Sequence, residues 1–180
     1  MLYIFFADGF EEVEAIATMD VLRRAGIETV SVGIGSKTIT GAHNIPVICD
    51  TTADKIEFNN SVDGIILPGG MPGTTNLMNS FIVNDFIDLC YKNGKIICAI
   101  CAAPMILGRK GLLNNREAVC FPGFEDELKG AVISEKFVCN SNGIITAKGM
   151  GSAVNFGLEI ISEIKGKEIS EKIKSTLQCS

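Results

Sequence analysis

Short apolar runs alternate along this chain with longer segments in which apolar residues recur at helical spacing. Apolar runs without polar alternation are typical of strands that are buried on both faces of a sheet. The predicted core strands are residues 2–7, 28–33, 62–67 and 95–100. Weaker signals predict further strands at 118–121, 137–140 and 144–147, and a hairpin at 37–50 that turns at 41–44.

Helical patterns fill the segments between these runs. Asp8 and Glu11 have the spacing of a capping box, which predicts a helix that begins at Asp8 and ends near Gly26. Further helices are predicted after Asn79 or Ser80, after Cys101 with Pro104 in the first turn, and over residues 153–164 and 167–177. Strands that alternate with helices predict an α/β sandwich with a mainly parallel central sheet. We expect residues 1–180 to form a single domain.

Charge and composition exclude several classes of protein. The net charge of −5 argues against non-specific nucleic-acid binding, which needs clustered basic residues. The longest uncharged apolar stretch, residues 96–108, is shorter than the roughly 18 residues that a membrane span requires. Residues 1–7 have no basic leader and therefore predict a strand, not a signal peptide. We expect neither a membrane nor a nucleic acid as a partner.

The cysteine and histidine counts are the most informative part of the composition. An odd number of scattered cysteines cannot all pair, which predicts a reducing, cytoplasmic setting. A single histidine, His43, argues against an ordinary zinc site and is interpreted as a residue of a surface turn. The seven cysteines stand at positions 49, 90, 98, 101, 120, 139 and 179.

The end of the 95–100 run has the layout of a nucleophile elbow. Cys101 ends a buried strand, small residues follow, and a helix begins at Pro104. A thiol at a helix N-terminus is expected to have a lowered pKa. Two interpretations stay open at this point, a reactive nucleophile and a buried structural thiol. Cys98 falls inside the strand, so we interpret it as core filler and not as half of a redox C-x-x-C pair.

Two other strand ends carry weaker signals. The loop Pro68-Gly-Gly-Met-Pro-Gly73 either forms a plain tight turn or turns its backbone N–H groups toward an anion or oxyanion. Glu14 shares a helix face with apolar residues at i+3, i+7 and i+11, so we expect its carboxyl to be desolvated and its pKa to be raised. Glu11 and Glu12 suit an ordinary acidic helix start.

These strand ends together resemble a known family. The motifs Asp8-Gly-Phe-Glu-Glu-Val-Glu14, Asp63-Gly-Ile-Ile-Leu-Pro-Gly-Gly70 and Ala99-Ile-Cys-Ala-Ala-Pro104 are similar to those of the ThiJ/PfpI family. The closer resemblance is to the branch that contains the human parkinsonism-associated protein deglycase, and it extends over residues 1–166. It implies a flavodoxin-like three-layer sandwich of the class I glutamine amidotransferase-like type, usually a homodimer, with neither a cofactor nor a metal.

The resemblance also implies roles for individual residues. Cys101 matches the reactive, oxidation-prone cysteine, and Glu14 matches the protonated carboxyl that hydrogen-bonds its sulfur. The backbone N–H groups of Gly70 and Ala102 match the oxyanion hole. Protease-like members have a histidine at the position of Ala102, and the closer branch often has one at the position of Phe121. Because both imidazoles are missing, amide hydrolysis loses the acid that protonates its leaving amine.

Three functions are therefore compared. The first is a cysteine-dependent, cofactor-independent enzyme of the glyoxalase or protein deglycase type, which protects against stress by acting on small reactive carbonyls or glycated adducts. The second is a redox-sensing or chaperone-like stress protein that works through oxidation of Cys101. The third, ranked last, is an intracellular cysteine protease or amidase.

Overall fold

The structure, a computed structural model, describes residues 1–178, and Cys179 lies outside the described residues. The strands are β1 (Leu2–Phe6), β2 (Thr29–Gly33), β3 (Thr38–Thr40), β4 (Pro46–Ile48), β5 (Thr51–Thr52), β6 (Gly64–Leu67), β7 (Ile96–Ile100), β8 (Glu117–Ala118), β9 (Val132–Ile133), β10 (Val138–Ser141) and β11 (Ile144–Ala147). The helices are α1 (Glu12–Arg24), α2 (Gly73–Asn79), α3 (Phe81–Lys92), α4 (Pro104–Arg109), α5 (Ala153–Lys165) and α6 (Lys167–Thr176).

Seven strands form one central sheet in the order β10-β11-β7-β6-β1-β2-β5. Every neighbouring pair in it is parallel except β10 with β11, which are joined by a tight turn. In β1, Leu2 pairs with Thr29 on one side and with Gly64 on the other. The predicted mainly parallel sheet is confirmed, and so is the separate hairpin of β3 and β4.

Side chains of β1 alternate between two hydrophobic cores. Tyr3 and Phe5 point into the core that also holds apolar residues of α2, α3 and α4. Leu2, Ile4 and Phe6 point into the opposite core, together with residues of α1 and α5, while α6 packs at its margin. Because both faces of the sheet are covered by helices, its central strands consist of contiguous apolar residues. This is the predicted three-layer sandwich.

The start of α1 differs from the sequence-based prediction. Its N-cap is Glu11, whose Oε2 accepts a hydrogen bond from the Glu14 N–H at 2.6 Å. Asp8 instead accepts a hydrogen bond from the Thr40 N–H at 2.8 Å and so fixes the β3–β4 hairpin against this end of the sheet. The predicted end of the helix is confirmed, since Gly26 has a φ of +66°.

Two other segments differ in detail. Helix α2 was not predicted, because the glycines and prolines that precede it have the composition of a turn. Of the strand predicted at residues 118–121, only Ala118 is in a strand, the short β8, which pairs with β9 in a separate two-stranded sheet. The predicted cap of α3 is confirmed at Ser80, whose Oγ accepts a hydrogen bond from the Val83 N–H.

Strands β7, β6 and β1 are neighbours in the sheet, and all three run in the same direction. Their carboxyl ends therefore meet at one edge, where ligand sites of parallel sheets lie. Each end continues into one of the three segments on which the sequence places its chemistry. Within residues 1–178, no helix is both long enough and apolar enough to cross a membrane.

Candidate active site

Cys101 occupies a sharp turn between β7 and α4. Its φ is +65°, a left-handed conformation that residues other than glycine seldom adopt. Both of its backbone groups are bonded, the N–H to the Ala147 carbonyl at 2.9 Å and the carbonyl to the Phe121 N–H at 2.8 Å. Ala147 at the end of β11 and the backbone of Phe121 thus hold the strained turn in place. The side chain is partly exposed.

Glu14 lies in the first turn of α1 with only 1% of its surface exposed. Its Oε2 accepts a hydrogen bond from the Gly69 N–H at 2.9 Å, and its carboxyl is also hydrogen-bonded to the Met150 backbone and the Cys101 side chain. Burial is the largest influence on this carboxyl and raises its pKa to about 7. A neutral Glu14 is therefore well populated at neutral pH, in agreement with the raised pKa expected from its helix face.

The Cys101 sulfur has three polar neighbours. The backbone groups of Gly70 and Ala102 hydrogen-bond to it and favour the thiolate, while the third neighbour is the Glu14 carboxyl. Burial, followed by the negative charge of an ionised Glu14, raises the pKa of the thiol to about 12. The lowered pKa expected from the helix N-terminus was therefore wrong. The thiolate becomes accessible when the proton of the pair resides on Glu14.

Glycine is required at two positions in the loop after β6. A Cβ on Gly69 would lie 2.5 Å from the Cys101 Cβ and 2.6 Å from Glu14 Oε2. A Cβ on Gly70, whose φ is +86°, would collide with the backbone of Phe10 and Glu11. The absence of side chains lets this loop approach both the elbow and the start of α1, so that its N–H groups reach the carboxyl and the sulfur.

Besides the Cys101 turn and the loop after β6, a third segment borders the site, and it contains Gly149 and Met150, to which the sequence assigned no role. Gly149 precedes the short 3-10 turn Met150–Ser152, and a Cβ on it would lie 3.2 Å from the Phe121 ring and 3.7 Å from Glu14 Oε1. Gly149 is therefore close both to the Phe121 ring and to the buried Glu14 carboxyl. Residues 148–152, Lys-Gly-Met-Gly-Ser, also resemble the family, and this resemblance is the one sequence signal for this segment.

His43 is bound to a different glutamate. Its backbone N–H and its ring Nδ1 contact the two carboxylate oxygens of Glu12 at 2.7 and 2.8 Å. The side chain is exposed on the β3–β4 hairpin, as predicted for a surface turn. Glu11, Glu12 and His43 could bring three metal-ligand atoms within 4.8 Å of one another. In the structure these groups instead cap α1 and attach the hairpin to it.

The other cysteines within residues 1–178 are buried, which sets Cys101 apart. Cys98 is completely buried among apolar residues of one core, which confirms its interpretation as core filler. Burial raises its pKa well above the ordinary range for a thiol. The buried thiols are those of Cys49, Cys90, Cys98, Cys120 and Cys139.

The fold and site together define a flavodoxin-like α/β protein with a cysteine at a nucleophile elbow. A profile of the DJ-1/PfpI family matches residues 1–163, and the chain belongs to this family. Protein dj-1beta of Drosophila melanogaster is 30% identical over 177 residues, which cover 97% of this chain and 94% of that protein.

Further comparisons agree with this assignment. The glutathione-independent glyoxalase DJR-1.2 of Caenorhabditis elegans is 30% identical over 169 residues, or 93% of this chain and 89% of that protein. A solved structure of oxidized Toxoplasma gondii DJ-1 superposes with a TM-score of 0.94 at 34% identity and covers 99% of this chain and 98% of that one. These likenesses support the class I glutamine amidotransferase-like fold implied by the resemblance.

Proposed function

We propose that this protein is a cofactor-independent glyoxalase-type enzyme that converts small 2-oxoaldehydes to 2-hydroxy acids and so protects against carbonyl stress. One observation carries the proposal. The Cys101 sulfur lies between a carboxyl whose pKa is about 7 and the backbone groups of Gly70 and Ala102. A nucleophile, a proton carrier and an oxyanion site are thus combined around one atom.

The chemistry starts with transfer of the thiol proton to the Glu14 carboxylate. The Cys101 thiolate then adds to the aldehyde carbon of methylglyoxal, and its C–O π electrons move to oxygen, which gives a hemithioacetal oxyanion. The N–H groups of Gly70 and Ala102 are positioned to stabilise this charge. The thiol proton on Glu14 is available to neutralise the oxyanion.

The next steps move two protons within the substrate. The Glu14 carboxylate removes the proton from the former aldehyde carbon, which gives an enediolate, and returns it to the neighbouring carbon. The hydroxyl proton on the first carbon passes to the oxygen on the second as the thioester carbonyl forms. The first carbon is thereby oxidised and the second is reduced, which leaves a 2-hydroxyacyl thioester on Cys101. Water cleaves the thioester and releases lactate and the free thiol. A thiol is a better leaving group than an amine, so this route needs no imidazole, whereas an amidase would.

The named activity of the Caenorhabditis elegans relative supports this function. Protein deglycase activity would use the same first step, with the thiolate attacking the carbonyl carbon of a glycated adduct. The test is lactate production from methylglyoxal by the wild type, Cys101→Ala and Glu14→Gln. We expect both variants to lose at least about a hundredfold in kcat/KM, the ordinary contribution of a general acid–base. Equal rates in all three proteins would disprove the proposal.

A redox-sensing role is the second candidate, and one observation favours it. Cys101 is the one partly exposed thiol among the cysteines of residues 1–178. A sulfinate formed there would accept hydrogen bonds from a protonated Glu14 and from the N–H groups of Gly70 and Ala102. Mass spectrometry after mild peroxide treatment tests this role. Oxidation of Cys49, Cys139 or Cys179 with Cys101 unmodified would exclude it.

A homodimer in a reducing, cytoplasmic setting completes the proposal. Four aliphatic side chains are exposed on the outer face of α1 and on the β3–β4 hairpin, and we call them the α1–hairpin patch. The hairpin is attached to α1 by the His43–Glu12 contact and by a bond from the Ala42 N–H to the Phe10 carbonyl. Exposed apolar patches of this kind are typical of subunit interfaces. The patch consists of Val13, Ile16, Ile45 and Ile48.

A further inference from the structure

A second group of exposed apolar side chains lies beside the reactive pair. Phe121, Phe137 and Met150 are 48%, 67% and 54% exposed, although large apolar side chains are ordinarily buried. Together with Pro122 and the glycine backbone at Gly149, they line an open groove of about 330 Å³. This volume is at the lower end of the range of sites that hold small molecules.

The groove adjoins the candidate active site, because Phe121, Gly149 and Met150, which line it, also lie against residues of that site. The Phe121 N–H donates a hydrogen bond to the Cys101 carbonyl, and a Cβ on Gly149 would lie 3.2 Å from the Phe121 ring and 3.7 Å from Glu14 Oε1. The Met150 backbone hydrogen-bonds Glu14. One end of the groove is thus beside Glu14, the hydrogen-bond partner of the Cys101 thiol.

The far wall of the groove is held in place in a similar way. The Lys148 Nζ lies 5.3 Å from the centroid of the Phe137 ring and donates a hydrogen bond to the Glu135 carbonyl at 3.0 Å. This cation–π contact orients the ring before any ligand binds. The Ser152 hydroxyl, which belongs to another residue lining the groove, donates a hydrogen bond to the Gly149 carbonyl at 2.8 Å. The groove thus offers mainly apolar surface.

We infer that this groove is a substrate subsite that binds the apolar substituent of a 2-oxoaldehyde, so that the enzyme prefers aryl- and long-alkyl-substituted 2-oxoaldehydes to methylglyoxal. This inference rests on the proposed glyoxalase function and specifies its substrate class. Phe121 and Phe137 are the specificity-determining residues. Their rings give the groove apolar surface, which a hydrocarbon substituent can cover without desolvating polar groups.

The first experiment compares phenylglyoxal with methylglyoxal by the rates of mandelate and lactate formation. We expect the wild type to have a kcat/KM ratio that favours phenylglyoxal by at least about tenfold, as for other apolar groups in fitted pockets. Phe121→Ala and Phe137→Ala should each reduce this ratio toward one. Phe81→Ala is the matched control, because Phe81 is 77% exposed at the start of α3 and does not line the groove. It should leave both rates unchanged.

The second experiment measures binding of the unreactive products to the wild type and Phe137→Ala by calorimetry. Mandelate should bind the wild type at least about tenfold more tightly than lactate, and Phe137→Ala should lose this preference. If the enzyme converts both aldehydes but neither Phe121→Ala nor Phe137→Ala changes the kcat/KM ratio between them, the subsite is disproved and the glyoxalase function stands. If neither aldehyde turns over, the proposed function fails. In that case the binding data still decide the subsite, since equal affinity for the two acids disproves it.

Discussion

The Glu14 carboxyl is hydrogen-bonded to the Cys101 thiol inside a site that also desolvates both groups. Burial raises the pKa of the carboxyl to about 7 and the pKa of the thiol to about 12. Between these limits the pair holds one proton, which resides either on sulfur or on the carboxyl. The reactive form, thiolate with neutral carboxyl, has the same proton count as thiol with carboxylate. The share of this reactive form therefore rises as the pH passes about 7, and it then stays constant while the pair holds one proton.

The pH dependence of thiol alkylation should reveal this coupling. In the wild type, the rate at which iodoacetamide modifies Cys101 should rise through a pH of about 7 and then level off. In Glu14→Gln this step should vanish. A single rise should replace it, with a pKa below about 12, because the negative charge of Glu14 no longer raises the pKa of the thiol. Peptide mass spectrometry assigns the signal to Cys101, and identical profiles in the two proteins would contradict the coupling.

The stability of the protein should depend on pH through Glu14. Burial raises the pKa of this carboxyl from an ordinary 4.5 to about 7. The stabilisation linked to its protonation is therefore complete below pH 4.5 and is lost as the pH rises through about 7. Over this window the free energy of unfolding of the wild type should fall by roughly 3 kcal/mol relative to Glu14→Gln. Urea unfolding measures the difference, and parallel stability curves would refute the linkage.

Most of the core could be predicted from local sequence, for a physical reason. Strands β1, β6 and β7 are buried on both faces, so each consists of contiguous apolar residues that identify it without further context. The cap of α1 could not be chosen in this way, because Asp8 and Glu11 both offer carboxylates. The three-dimensional structure decides between them, because the Asp8 carboxylate accepts a hydrogen bond from the hairpin residue Thr40 and Glu11 is left to cap the helix.

In the candidate site, too, some residues can be predicted from local sequence and others cannot. Glu14 and Cys101 carry local signals, a polar residue on an apolar helix face and a cysteine at a strand end. The wall formed by Gly149 and Met150 carries none, because it reaches the site only through the fold and contributes backbone atoms. The raised pKa of the thiol also depended on tertiary burial, which outweighed the helix N-terminus considered from the sequence.

Replacement of Gly69 by alanine should disrupt the Glu14–Cys101 pair. The new Cβ would stand 2.5 Å from the Cys101 Cβ and 3.0 Å from the Ile100 carbonyl oxygen, so the carboxyl and the thiol must move apart. We expect a loss of about 1–3 kcal/mol in stability and loss of the alkylation step near neutral pH.

Gly35→Ala serves as the control for Gly69→Ala. Gly35 has a φ of +77° but no neighbour within 4 Å of a Cβ, so its substitution strains the backbone without touching the pair. It should destabilise the protein by about 1 kcal/mol and leave the pH profile of alkylation unchanged. Normal alkylation of Cys101 in Gly69→Ala would show that close approach of this loop is not required.

The α1–hairpin patch should form the dimer interface, and Ile48→Lys should dissociate the dimer. Ile48 is 74% exposed on β4, so a lysine there costs the subunit little, whereas in an interface it would bury an unpaired charge. Sedimentation velocity should show a dimer for the wild type and a monomer for the variant. Phe81→Lys is the matched control, because Phe81 is 77% exposed on another helix, and it should remain dimeric. A monomeric wild type would disprove the dimer. Dissociation by Phe81→Lys but not by Ile48→Lys would show that the interface lies outside the α1–hairpin patch.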